Sequence, residues 1–147
     1  MKKIILATIL FAALSSASFA AGNKEEKKLL NQLAETFKNA SQVQWTTYAN
    51  HKSGTFSFNG KPVRACYGTE ENEFVGFSIP VNETELPGAA VDNISKKFNG
   101  WKITNSIMFI DAAAHVKYFV QVNKGDRSFA LDVTNGRAMI YGQIPEQ

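Results

Sequence analysis

The chain is poor in the residues that staple or catalyse. Of its 147 residues one is cysteine, Cys66, so no internal disulfide can form. It has two histidines, His51 and His115, too few for the close-spaced imidazole and thiolate sets that hold a metal. Proline occurs four times, and Pro80 and Pro87 bracket the one clear connector, PVNETELPG. No glycine-rich phosphate loop, dinucleotide fingerprint or nucleophile elbow is present. Charge of one sign is also missing. The 16 Lys+Arg against 13 Asp+Glu fall to 14 against 13 once Lys2 and Lys3 are set aside, which gives no reason to expect nucleic acid or an anionic membrane as partner. The longest mostly apolar run, Ile4 to Leu14, is too short to span a bilayer comfortably.

That run has a role of its own. Lys2 and Lys3, the apolar stretch, and Ser18-Phe19-Ala20 compose a secretory signal peptide, residues 1–20, with cleavage expected after Ala20. Ala21 and not a Cys stands at the cut, so no lipid anchor at a new N-terminal Cys, and no membrane anchor, is expected. Residues 21–147 are of a length suited to a single domain, which can bury roughly two-thirds of its unfolded surface. Cys66, between Ala65 and Tyr67, reads as a small, partly buried strand residue.

Hydrophobic periodicity predicts a helix from Lys24 to Lys38, with Leu30, Leu33 and Phe37 on its apolar stripe, Asn23 as N-cap and Glu26 as capping-box partner. Alternation then predicts strands in VQWTTY, TFSF, VRACY and FVGFSI, with Asn59-Gly60 as a two-residue turn. A second helix is expected from Pro87 to Phe98, with Val91, Ile94 and Phe98 facing inward. Strands resume in WKITNSIMFI, VKYFVQV, RSFALDV and RAMIYGQI, the last two joined by Asn135-Gly136. The halves correspond: Leu30, Leu33 and Phe37 match Val91, Ile94 and Phe98; Phe56 and Phe58 match Val120 and Val122 at an offset of 64; Val63, Ala65 and Tyr67 match Phe129, Leu131 and Val133 at 66. Trp101 is a looser echo of Trp45. The expected fold is α+β: two tandem helix-plus-antiparallel-strand repeats, 21–80 and 88–147 with linker 81–87, sharing one sheet, both helices on one face and the other face open.

The segments ETFKNASQVQWTTY, FSFNGKPVRACY and ELPGAAVDNISKKFNGWKI, with Phe37, Asn39, Val43, Trp45, Gly60 and Leu86-Pro87 in order, resemble the PepSY-like exported proteins of Gram-negative bacteria. The resemblance spans nearly all of the chain after the signal. It implies a fold similar to β-lactamase-inhibitor protein, export to the periplasm (secretion being the alternative), and kinship with modules that inhibit or regulate secreted peptidases. It brings no catalytic residues and no cofactor.

The remaining chemistry is sparse. His51, in ANHKSG, and His115, in DAAAHV, read as surface-loop histidines; Glu70, Glu71 and Glu73 read as a solvated turn. Strand alternation places Trp45, Phe56, Phe58, Val63, Tyr67, Val120, Val122, Phe129, Leu131 and Val133 on the helix-covered face. It leaves Tyr48, Arg64, Met108, Phe119, Met139 and Tyr141 on the open face, residue types enriched in recognition surfaces. The plain alternative is that these residues only cover the sheet or line a homodimer seam. The sequence therefore points to a non-enzymatic module, a monomer or weak homodimer, that recognises a protein or peptide on its open sheet face. A small-ligand carrier or enzyme with a pocket between sheet and helices is the competing reading.

Overall fold

Helix α1 begins where the sequence supplies its own cap. Asn23 Oδ1 accepts from the Glu26 backbone N–H at 2.9 Å, and Glu26 Oε2 accepts from the Asn23 N–H at 2.9 Å, so two otherwise orphaned donors are satisfied reciprocally. The computed structural model describes residues 23–145; the signal segment lies outside them. Within that range the elements are α1 (Lys24–Asn39), β1 (Gln44–Thr47), β2 (His51–Phe58), β3 (Lys61–Gly68), β4 (Phe74–Pro80), a 3₁₀ turn (Glu83–Glu85), α2 (Gly88–Lys97), β5 (Lys102–Asp111), β6 (Val116–Lys124), β7 (Arg127–Thr134) and β8 (Arg137–Gln143). The strands are hydrogen-bonded in chain order, β1 to β8, in one sheet, and the class is α+β.

The chain divides into two compact units. One holds the first repeat through Pro80 together with Phe109–Val116; the other holds Val81–Met108 and the chain from Lys117. In the first-repeat unit, α1 covers one face of β1–β4. Phe37 is the hub: its ring lies 5.1 Å from that of Phe56, 6.1 Å from Trp45, 6.4 Å from Tyr67 and 6.3 Å from Phe77. Phe74 closes the cluster, 4.9 Å from Phe77 and 5.4 Å from Tyr67. Such edge-on and tilted pairs each contribute about 0.5–1.5 kcal/mol beyond the area they bury. Gly54 makes room for these rings. A Cβ there would stand 2.8 Å from Val43 Cγ1 and 3.2 Å from the Trp45 ring.

In the second-repeat unit the core is aliphatic. Leu86, Ala90 and Ile94 pack on Val120, Val122, Leu131, Val133 and Ala138, with Phe98, Trp101 and Phe129 at the margin. The connector is not slack. Asn82 and Glu85 cap its 3₁₀ turn, and Leu86 enters the core. Pro87 stands just outside α2 rather than in its first turn, its carbonyl accepting from Ala90 and Val91.

The hairpins fix the repeat. Asn59-Gly60 and Asn135-Gly136 all adopt positive φ, between 49° and 76°, as a two-residue turn of primed type requires. Phe56 pairs with Val63, and Val122 pairs with Phe129, so the offset between β2 and β6 is 66, not 64. The difference is even, and a period of two leaves the facing unchanged. The true counterpart of Phe56 is Val122, and that of Gly54 is Val120. Trp45 and Trp101 are not equivalent: Trp45 sits in β1 opposite Gly54, whereas Trp101 precedes β5 and packs on Phe98 and Phe129.

Candidate interaction surfaces

Residues on the sheet face turned away from each helix carry the polar chemistry. In the first-repeat unit β2 starts four residues before the expected TFSF, because the turn is made by Ala49-Asn50 and Tyr48 N–H donates to the His51 carbonyl at 2.7 Å. His51 is therefore a buried strand residue and not a surface-loop histidine. Tyr48 stacks on its ring at 4.3 Å and an interplanar angle of 11°, and its Nδ1 lies 2.8 Å from Asn50 Oδ1. Burial and, second, the Arg64 guanidinium hold the His51 imidazole below its ordinary pKa. Ser53 pairs across the ladder with Cys66, and Arg64 with Ser78. Burial pushes the Cys66 thiol up to about 12, which leaves it a protonated, inert packing group.

His115 is also more enclosed than a surface loop would make it. Asp111 Oδ1 accepts from the Ala113 and His115 backbone N–H groups, and Asp111 Oδ2 lies 3.0 Å from His115 Nδ1. Glu70, Glu71 and Glu73 are solvent-exposed. No cluster of three His, Cys, Asp or Glu able to hold a metal occurs among the described residues.

The six residues singled out for the open face divide between the units, Tyr48 and Arg64 in one, Met108, Phe119, Met139 and Tyr141 in the other. The structure brings Phe119 and Tyr141 together, ring centroids 5.8 Å apart and nearly perpendicular. Met139 pairs with Asp132, and Asp132 with Phe119, so these side chains share a face. Phe119 corrects the expectation. It is 0 % exposed, so it forms the floor under Tyr141 and cannot itself touch a partner. Met139 is 65 % exposed. Burial and, second, the negative charge of Asp132 raise the Tyr141 phenol above its ordinary pKa. Tyr48, Arg64 and Met108 are half-buried.

Sequence reasoning missed a polar network on this same face. Buried Gln121 donates from Nε2 to Ser128 Oγ at 2.9 Å, Ser128 Oγ donates to Asn123 Oδ1 at 2.8 Å, and Thr104 Oγ1 donates to the same oxygen at 3.1 Å. The signal was the alternation itself, Gln121 and Asn123 threaded between Val120, Val122 and Lys124. The depressions near the C-terminal end of α1 are open and of mixed character, lined by Ser41, Gln42 and Ser57 together with Asn39 in one and Val43, Phe56 and Pro62 in the other.

No protein-family model and no curated protein matches the sequence. Solved structures do match. A protein of Bacteroides eggerthii, provisionally described as periplasmic, superposes with a TM-score of 0.62 at 16 % identity over 85 % of this chain and 89 % of that one. A DUF2874 family protein of Bacteroides uniformis gives 0.62 at 13 % identity over 84 % and 88 %. A BLIP-like protein of Bacteroides fragilis gives 0.55 at 14 % identity over 88 % of each. At these identities the likeness is one of fold. The chain has a BLIP-like α+β fold, a scaffold that leaves function to the side chains placed on it. No described helix is long and apolar enough to cross a membrane.

Proposed function

We propose that the protein is exported to the periplasm and acts there as a non-enzymatic binding module, recognising a protein or peptide through the sheet face turned away from its helices. One observation carries the reading. Met139 stands two-thirds exposed beside Tyr141, which is propped edge-on against the buried Phe119. An exposed thioether on the same face as a phenol ring propped on a buried Phe offers apolar surface for a partner to cover, since Met and Tyr bury much apolar area with little specificity of shape. The resemblance to PepSY-like exported proteins makes a secreted peptidase the first class of partner to test, with inhibition as the outcome.

The test is a cross-linked pull-down of the exported protein from its own periplasm, run beside Met139→Ala and Tyr141→Ala. One dominant partner, lost from both variants and cross-linked near β8, supports the reading; a partner held equally by the variants removes this face from it. Phe119→Ala is unsuited to the purpose, because a buried Phe lost from a core costs about 3–5 kcal/mol of stability.

A further inference from the structure

The sheet ends in two strands, β1 and β8, and their outer edges are treated differently. In β8 the first outward position is Ala138. Its N–H donates to Asn93 Oδ1 at 2.9 Å, and its carbonyl accepts from Lys97 Nζ at 3.2 Å, both from α2. A register shift at Ala130/Leu131 follows within three residues, leaving Ile140 as the single outward position between guard and bulge.

In β1, among the described residues, no comparable side chain engages the outward backbone groups. Tyr48 and His51 form a hydrogen-bonded pair, so the alternation of an antiparallel ladder turns the N–H and C=O of Thr47 and Trp45 outward. All four β1 residues are exposed, Trp45 by 54 % of its surface. Val43 to Ala49 contains no charge, proline or glycine, the usual means of blunting an edge. Lys52 Nζ lies 5.4 Å from the centre of the Trp45 ring and 5.9 Å from that of Tyr67. Lys52 is the only Lys, Arg, Asp or Glu from Gln44 to Phe58, the two strands that form this edge. A second copy would bring like charge to this edge; an acidic strand would bring the complement.

We propose that the β1 edge is a docking site for an extended acidic peptide, added as a further strand whose backbone bonds to Trp45 and Thr47 and whose carboxylates face Lys52. It rests on the reading of the protein as a peptide-recognising module, and adds a site at the sheet edge, separate from the face at Met139 and Tyr141. Main-chain pairing supplies the affinity in such strand addition, and the side-chain faces supply selection.

The probe is a fluorescein-labelled heptapeptide of alternating Val and Glu, followed by anisotropy, with a Lys-for-Glu counterpart and an acidic form N-methylated at alternate residues. The acidic peptide is expected to bind at least about tenfold more tightly than the basic one, and more weakly as salt rises. N-methylation abolishes binding, an outcome that needs no change to the protein. Thr47→Pro removes an outward donor without touching the ladder to β2 and weakens binding about tenfold or more, as does Trp45→Ala, while Thr47→Val and Tyr141→Ala bind as the parent does. Absence of binding by the acidic peptide, equal binding of both peptides, or full binding by Thr47→Pro overturns the proposal. Loss of binding in Tyr141→Ala with retention in Thr47→Pro overturns it too, while leaving peptide recognition standing on the sheet face. Concentration-dependent dimers that Thr47→Pro abolishes, with no peptide bound, would assign the edge to a second copy and likewise overturn it.

Discussion

The two repeats solve one packing problem with opposite materials. Under α1 the core is a cluster of rings around Phe37, with glycine at position 54 where the rings crowd the strand. Under α2 the core is aliphatic, and the counterpart of Gly54 is Val120. The helices follow suit: 16 residues against ten, the longer one self-capped, the shorter one started by Pro87. The faces turned away from the helices differ as well. One buries an imidazole, a thiol and hydroxyls behind Tyr48 and Arg64; the other buries an amide network beside Phe119 and Tyr141. A duplicated scaffold thus keeps its registers while its side chains diverge, since register depends on turns and alternation whereas a core accepts different apolar sets of suitable volume.

The sharpest way to break this comparison is to remove one member of the aromatic cluster. Phe77→Ala, which loses ring contacts to Phe37, Phe56 and Phe74, is expected to cost about 3–5 kcal/mol in guanidinium unfolding, at the upper end of what Leu131→Ala costs in the aliphatic core. If the two cost the same, the rings act only as volume. Exchanging the equivalents is the next test. Gly54→Val should cost about 1–3 kcal/mol by overpacking, and adding Val43→Ala should recover part of it, because Val43 Cγ1 is the nearest atom to the new Cβ. A neutral Gly54→Val would show that glycine is not required by the rings.

The smallest effect separates the two polar faces by pH. Because His51 in the folded protein holds its proton less tightly than in the unfolded chain, the unfolded state binds more protons below the ordinary value of 6.5. Stability is therefore whole above that value and falls as the pH drops towards the lower folded one. Denaturation midpoints taken at neutral pH and at about pH 5 should differ by less in His51→Gln than in the parent. An unchanged difference would assign the acid sensitivity elsewhere.

Much of the architecture was legible in local chemistry. Asn23 and Glu26 announce the first helix, the two Asn-Gly turns fix two hairpins, and alternation identifies which strand residues face a helix. Depth was not legible. Alternation turns Phe119 away from Val120 and Val122, but period two tells which way a side chain points and not what stands over it. His51 was lost for a different reason. Lys52, Ser53 and Gly54 are poor strand formers, and pairing with Tyr67, Cys66 and Ala65 overrides that preference. The edge guard at Ala138 was invisible because Asn93 and Lys97 meet it from 45 and 41 residues away.

That guard sets the valency of the sheet. A sheet with two receptive edges is bifunctional: each molecule can accept on one side and donate on the other, and such units grow into chains without a stopping point. By engaging the Ala138 amide and carbonyl, Asn93 and Lys97 occupy the end at which growth would continue. Were a strand to pair at Trp45 and Thr47 as proposed, the guard at Ala138 would favour its ending the array rather than extending it. The same two side chains that look incidental on α2 would then separate a molecule that captures one segment from one that polymerises.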